Sequence, residues 1–377
     1  MATTPLLFDL KYLIKKTLSF PPSTESVYKN KKGLAIMIQW FIKRMVFLAI
    51  LFLYSCSHGD DELCVSTSLF PTLTIIYEDP PKYVAFCDIV QFKDKFYTAF
   101  RKGEDHAPYH DYSKNGYIVI LSSDDCENWH EEIELKDDKW DLRDPCFCVD
   151  PTGNTLHVYY GRYSYFTPKP DKKTGVFVLH VNDGRLYVDS NKSVDMGDYS
   201  SFWLWKISKY KESYYGVAYK EKELPVLMKS KDGVHFSLVS LIPQAGSETC
   251  LEFDGENLYC FIRNNTPKSK AFVARSHAPF VSWEVKELDT MIESPESFTK
   301  DGNIYITGRS MYGVSTFLYD KQADKVVPIL NYFALGEYGN IGYPGIIVHN
   351  QKVYVVYYAE SYDRSHTCIY EMIINNL

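Results

Sequence analysis

A six-bladed β-propeller, an all-β fold, is predicted by three observations. A phrase of hydrophobic strand, polar turn and aromatic-rich strand recurs six times. Asp-Gly and similar turn signals separate short strand patterns. No long amphipathic helix pattern stands out after residue 65. The six copies are KDKFYTAFR (93–101), PTGNTLHVYYGR (151–162), YKESYYGVAYK (210–220), DGENLYCFIR (254–263), DGNIYITGR (301–309) and NQKVYVVYYAE (350–360). Their anchors, Tyr97, His157, Tyr215, Tyr259, Tyr305 and Tyr354, lie 44 to 60 residues apart. That period fits one four-stranded sheet per blade. A propeller gathers residues distant in sequence at one end of its channel, where the inner strands of the blades converge.

The 377 residues suffice for a large core. The 31 Tyr and 22 Phe are mostly explained by sheet packing, with sugar-contacting faces the functional alternative for rings that reach the surface.

Residues 1–56 are read as lying outside the fold. Met45 to Ser55 is an 11-residue apolar run directly after Lys43 and Arg44, and Cys56 follows it. This is a secretory-signal pattern, too short to span a bilayer, which needs about 20 residues. The Cys at the cut resembles the lipobox of bacterial lipoproteins, with Tyr54 an unusual member, and implies lipidation of Cys56; a cleaved signal with an ordinary Cys is the plainer alternative. The start is expected at Met37 or Met45. Residues 57–70 read as a tether and 71–377 as the propeller. SHGDDE after Cys56 resembles the surface-export signal of Bacteroidetes lipoproteins, although a solvated tether has the same composition. The expected product is a monomer held by a lipid anchor to the bacterial outer membrane, on its periplasmic or cell-surface side.

Residues 1–55 carry eight Lys/Arg against two Asp/Glu, so the remaining chain is near −13 where the whole is −7. That charge argues against nucleic acid as a partner. No CxxC pair, nucleotide motif, zincin motif or Ser-nucleophile elbow occurs, and neither cofactor nor metal is expected. Most cysteines read as small buried hydrophobes, with Cys146 and Cys148 on one strand face.

Three turns narrow the propeller type. Ser122 to Trp129 follows GYIVIL, Ser230 to Phe236 is a shorter version, and Ser276 to Trp283 repeats the Ser-to-Trp spacing without the Asp. In the first, Ser122, Asp124 and Trp129 match the Ser-x-Asp-x-Gly-x-x-Trp turn of sialidase-type propellers, with Cys126 at the Gly position. Such a turn is structural: an Asp or Ser side chain bonds backbone amides.

Arg101, Arg263 and Arg309 stand at one offset from their anchors. Three surface arginines at strand ends are the bland explanation. A shared offset points instead to inner strands ending in one mouth, where guanidinium groups bind carboxylates bidentately.

Over residues 70–377 the chain resembles the sialidase superfamily. In that family an arginine cluster grips the sugar carboxylate, a Tyr activated by a Glu attacks the anomeric carbon, and an Asp supplies the acid. A neutral phenol avoids the repulsion that an anionic nucleophile would meet beside that carboxylate. The resemblance implies Tyr343 in GNIGYPGIIV as nucleophile and Glu248 in GSETCLEF as its partner. It makes Arg263 and Arg309 members of the arginine triad, Arg101 an additional arginine, and Glu360 the residue that orients the first one. That first triad arginine is missing, because Phe86-Cys87-Asp88-Ile89 stands in its place. The stretch is more similar to a divergent exo-sialidase-like bacterial group. That group has Phe-Arg-x-Gly and a His (Phe100 to Gly103, His106), Leu-Arg-Asp-Pro (Leu142 to Pro145), Trp-Leu-Trp (Trp203 to Trp205) and Tyr-Pro-Gly (Tyr343 to Gly345).

By residue chemistry, Asp88, Asp144 and Glu248 are carboxylates on different blades able to divide acid and base work. Arg143 beside Asp144 is most simply a salt bridge. Asp105 or His106 offers an acid in a loop, where an exposed His is the bland alternative. Trp203 and Trp205 share a face, for packing or for stacking on a pyranose.

The expected function is a glycoside hydrolase releasing a terminal sugar, sialic acid or a relative, from a glycan. Tyr343 and Glu248 form the nucleophilic pair. Asp88, Asp105 or His106 is the acid, and Arg101, Arg263, Arg309, Asp144, Trp203 and Glu360 bind substrate. The alternatives are a glycosidase or lyase acting on a neutral or uronic sugar, favoured by the missing arginine, and a glycan-binding propeller without catalysis.

Overall fold

Alternating and doubly buried strand patterns fold into six four-stranded antiparallel sheets. The computed structural model describes residues 71–107, 114–164, 172–332, 340–361, 363–375 and 377. The start site, the signal segment, Cys56 and the tether lie outside these residues.

Blade 1 holds β2 (Tyr83–Phe92), β3 (Lys95–Gly103), β4 (Tyr117–Ser123) and β5 (His130–Leu135). Blade 2 holds β6 (Asp141–Val149), β7 (Leu156–Tyr163), β8 (Thr174–Asn182) and β9 (Arg185–Ser193). Blade 3 holds β10 (Trp203–Tyr210), β11 (Ser213–Tyr219), β12 (Val226–Ser230) and β13 (Phe236–Leu241). Blade 4 holds β14 (Thr249–Asp254), β15 (Asn257–Ile262), β16 (Phe272–His277) and β17 (Glu284–Glu287). Blade 5 holds β18 (Glu293–Lys300), β19 (Asn303–Ser310), β20 (Gly313–Asp320) and β21 (Lys325–Tyr332). Blade 6 combines β22 (Ile341–His349), β23 (Lys352–Glu360) and β24 (Thr367–Ile374) with β1 (Thr72–Glu78) from the chain's other end. This pairing closes the ring, leaving neither end blade with an incomplete sheet.

The core lies between blades. Phe92, Tyr97 and Ile120 of blade 1 pack on Phe147, Tyr160 and Phe177 of blade 2. Val84, Phe100 and Val119 of blade 1 meet Val356, Tyr358 and Ile369 of blade 6. Each such side chain contributes roughly 1.5–3 kcal/mol on full burial. The inner strands β2, β6, β10, β14, β18 and β22 touch in succession around the axis. Gly345 of β22 lies so close to β2 that a Cβ there would stand 2.5 Å from Asp88 Cα.

All six anchors lie on the second strand of a blade, so the repeat phrase is the turn from inner to second strand. This corrects the placement of the arginines: Arg101 and Arg309 are in second strands and Arg263 just follows one, rather than ending inner strands.

The Ser/Asp turns join third to fourth strands. In the first, Ser123 and Asp125 cap the turn, one residue later than the sequence pattern placed it. Asp125 Oδ1 accepts the amides of Glu127 and Asn128 at 2.9 and 2.8 Å, while Ser122 Oγ donates to Glu132. Asp232 does the same for Val234 and His235 at 2.9 and 2.8 Å. Cys126 and Gly233 occupy the matching left-handed position, with φ of 59° and 76°. In the third turn Ser276 Oγ donates to the Ser282 carbonyl. Cys87, Cys126, Cys146, Cys148, Cys250, Cys260 and Cys368 are buried thiols, as expected.

Candidate active site

Five of the inner strands carry a bulge near their first residues. Pairing slips between Ala85 and Asp88, Arg143 and Cys146, Trp205 and Ile207, Glu293 and Glu296, and Gly342 and Gly345. One residue at each slip has positive φ: Phe86 62°, Asp144 47°, Lys206 42°, Ser294 45° and Tyr343 50°. Three of these precede a proline, Pro145, Pro295 or Pro344, which cannot donate to the ladder. A bulge re-aims a side chain, and non-glycine residues at positive φ collect at functional sites. The slips sit at the same end of parallel-running inner strands, so the re-aimed residues face one mouth.

Tyr343 is at the centre of it. Its hydroxyl donates to Glu248 Oε1 at 2.6 Å. Glu248 Oε2 is fixed by Arg263 at 2.8 Å and by the Ser294 amide at 3.0 Å. Ser294 Oγ in turn accepts the Tyr343 amide at 3.1 Å. Glu293, nearly fully buried, ties the two arginines together, at 3.4 Å from Arg263 and 3.2 Å from Arg309. Arg309 lies over the Tyr343 ring at 5.6 Å, and its Nε donates to the Ile341 carbonyl. Phe86 and Trp205 meet the ring edge-on at 4.8 and 6.3 Å. Burial, then the Glu248 and Asp144 charges, push the phenol pKa well above its ordinary value against the pull of Arg309 and Arg263. The phenol therefore stays neutral, with a carboxylate placed to take its proton.

Asp144 faces the same space. Its Oδ1 is buried without a hydrogen-bond partner. Burial raises its pKa to about 7; Arg143 opposes that rise and Glu248 adds to it. A carboxyl group poised near neutrality, with one oxygen uncommitted, is equipped to donate a proton.

The other acid candidates have different settings. Asp88 Oδ1 is 3.0 Å from Lys206 Nζ, and its Oδ2 accepts the Phe147 amide at 2.6 Å. Lys206 also pairs with Glu296 at 2.5 Å. These three groups form the buried floor of the channel. Burial pushes the Lys206 ammonium down, but Asp88 and Glu296 outweigh it and hold the pKa well above the ordinary value. Asp105 is exposed, and its carboxylate accepts the His106 amide. His106, a candidate acid from the sequence, is half-buried and not the exposed loop residue of the bland alternative. Its Nδ1 meets the Tyr83 hydroxyl at 3.0 Å and its Nε2 meets Arg143 at 3.1 Å. Burial, then Arg143 and Arg101, lower its pKa to about 4, so it is neutral at pH 7 and a poor acid.

Arg101 is fully buried. Its Nε and Nη2 donate to Asp141 Oδ1 at 3.1 and 2.7 Å, and its Nη1 donates to the Asp105 carbonyl. It anchors the loop that carries His106, and the structure does not bring it to Arg263 and Arg309. Trp203 is half-buried, packed on Gly161 and parallel to Tyr219 at 6.5 Å. Glu360 Oε1 accepts from Asn340, and Arg364 approaches its other oxygen at 3.9 Å.

Sequence reasoning missed Glu293, Lys206 and Glu296. The offset that singled out the three arginines marks Gly161, Tyr219 and Tyr358 in the other blades. Asp-Pro, Ser-Pro and Tyr-Pro inside inner strands were the signal for the bulges.

No protein-family model matches the chain, and no curated protein sequence matches it. Solved structures do. A phage phi92 endosialidase aligns with a TM-score of 0.62 at 11% identity, over 81% of this chain and 69% of that one. Trypanosoma rangeli sialidase in complex with the inhibitor DANA aligns at 0.59 and 13%, over 77% and 55%. A K499G mutant of NanB sialidase from Streptococcus pneumoniae aligns at 0.57 and 13%, over 84% and 73%. The fold is the sialidase fold. The chain spans about half the length of the T. rangeli sialidase.

On this sialidase fold the nucleophile and base positions read from sequence, Tyr343 and Glu248, are in direct contact. Glu360 departs from the expected pattern: its partners are Asn340 and Arg364, and it touches none of Arg101, Arg263 and Arg309.

Proposed function

We propose that the protein is a glycoside hydrolase that removes a terminal sugar from glycans by a tyrosine mechanism. The observation that carries this reading is the 2.6 Å bond from the Tyr343 hydroxyl to Glu248, within a mouth that also holds Arg263, Arg309 and Asp144. Glu248 accepts the phenolic proton as the Tyr343 oxygen forms a bond to the anomeric carbon. The bond to the leaving oxygen breaks, and Asp144 protonates that oxygen. Water, deprotonated by Asp144, then cleaves the glycosyl-tyrosine bond, and the phenol recovers its proton from Glu248. Arg263 and Arg309 hold the sugar's polar groups. Arg143, carried on Phe86 at 4.8 Å and braced by His106, borders the same space. Arg101 positions the rim rather than touching substrate.

Sialic acid is the first substrate to test, because a neutral nucleophile suits an anomeric carbon that bears a carboxylate. One observation favours another sugar as the second reading. Glu248 and Glu293 already match the charges of Arg263 and Arg309, and Asp88 with Lys206 stands on the strand where a further arginine would grip a carboxylate. A uronic or neutral residue fits that balance.

The test is incubation with an aryl sialoside and a mixed glycan pool, with mass-spectrometric detection of products. Release of sialic acid supports the first reading and release of another sugar the second. Binding without turnover by folded protein would remove the enzyme and leave a glycan-binding propeller. As part of the same proposal, Cys56 carries the lipid that holds the enzyme to the outer membrane, and Cys56→Ala should release it into the soluble fraction.

A further inference from the structure

The strand that closes the ring ends in an unusual set of side chains. Glu78, the last residue of β1, pairs in register with Cys368 of β24. His366 stands two residues before Cys368. One carboxylate oxygen, one imidazole nitrogen and one thiol sulfur from these residues lie within 4.8 Å of one another. His366 Nε2 is 3.1 Å from Glu78 Oε2, and Cys368 Sγ is 3.5 Å from the same oxygen.

We propose that Glu78, His366 and Cys368 form a zinc site that clamps β1 to β24 and so locks the propeller shut. The spacings support it. Tetrahedral zinc with sulfur at about 2.3 Å and nitrogen or oxygen at about 2.0–2.2 Å has ligand-to-ligand edges of roughly 3.3–3.6 Å. The 3.5 Å separation of Glu78 and Cys368 falls in that range and the 3.1 Å separation of Glu78 and His366 lies just below it; the His366 and Cys368 donors, within 4.8 Å of each other, reach it by side-chain adjustment. The donor set also points to zinc, since thiolate excludes magnesium and calcium, and imidazole with carboxylate suits a borderline divalent ion. The fourth position opens to water, because Glu78 has a side chain about half exposed, 49%, while Cys368 closes the inner side.

The imidazole is already oriented. His366 Nδ1 meets Ser365 Oγ at 2.8 Å, and Ser365 is held by Asp363, which accepts both its amide and its hydroxyl at 3.0 and 2.7 Å. A hydrogen-bonded group on the far nitrogen is what fixes a metal-binding histidine. Sequence spacing conceals the site, because its ligands come from opposite ends of the chain and meet only when the ring closes. A metal there binds the closed ring and not the open one, so binding is coupled to folding.

The test uses the purified protein without a polyhistidine tag. Cobalt(II) should bind with one-to-one stoichiometry, giving a near-ultraviolet thiolate-to-cobalt band and visible bands of four-coordinate geometry, and zinc should displace it. The thermal midpoint should rise with free zinc and fall back with chelator. Cys368→Ser should abolish the ultraviolet band, and Ser365→Ala should weaken affinity by about 10–100-fold. Wild-type protein with no cobalt band and no zinc-dependent midpoint overturns the proposal whether or not the variants fold. So does a band that persists in Cys368→Ser, which would place the metal on another thiol.

Discussion

The Tyr343 hydroxyl donates to Glu248, 95 residues away in sequence, across 2.6 Å. The two come from blade 6 and the start of blade 4, and Ser294 of blade 5 bonds to both through its amide and hydroxyl. The nucleophile, its base and their brace therefore come from three blades.

If this pair performs the chemistry, Tyr343→Phe and Glu248→Gln should each lower kcat by at least about 100-fold, the low end for a positioned proton transfer. Tyr343→Phe loses one hydrogen bond and should cost only about 0.5–1.5 kcal/mol of stability, measured by urea unfolding, whereas Glu248→Gln also breaks the pair with Arg263 and should cost more. Unchanged turnover in Tyr343→Phe would sink the tyrosine mechanism.

Asp144 should reveal itself through the leaving group. Asp144→Ala should keep most of its kcat/KM on aryl glycosides with good leaving groups, with kcat lowered because the second step lacks its base, and should lose most of its kcat/KM on natural glycans. In the wild type, kcat/KM should fall as pH rises through about 7, where the acid loses its proton. Stability follows the same sign. A carboxyl group whose folded pKa is raised stabilises the fold below its ordinary pKa, and that contribution is lost as pH rises through about 7. Asp144→Asn should therefore gain stability over the wild type above pH 7. Equal urea midpoints at pH 8.5 would count against the assignment.

The arginines should separate by role. Arg101 and Asp141 are both fully buried, so Arg101→Met should cost about 3–5 kcal/mol by stranding Asp141. Arg263 keeps 24% of its side chain exposed, and Arg263→Met should raise KM and, by releasing the base Glu248, lower kcat as well. A stable Arg101→Met with raised KM would return Arg101 to the substrate.

The channel floor should behave as a unit. Lys206→Met should cost about 3–5 kcal/mol, because Asp88 and Glu296 then face each other uncompensated. Adding Asp88→Asn and Glu296→Gln should recover much of that loss. Strict additivity of the three changes in urea midpoints would contradict a coupled cluster.

The sequence alone determined the architecture. Strand periodicity and the six anchors from Tyr97 to Tyr354 are local features, set by alternation and turn chemistry within each phrase, so they survive without knowledge of the neighbours. Arg263 and Arg309 were legible for a related reason, since they share one offset in the repeat and equivalent offsets meet at one end of a ring; Tyr343 and Glu248 were legible only through the resemblance of their local motifs to the sialidase superfamily. Tertiary structure decided which charges remain available to a ligand. Asp141 consumes Arg101, Lys206 consumes Asp88, and Arg143 with Tyr83 turns His106 into a brace, leaving Asp144 with a bare oxygen. Burial and pairing across blades depend on residues 37 to 118 positions apart, a distance over which no local pattern carries information. The closure of β1 on β24 is the extreme case, because the strand that completes the last blade is the first of the fold.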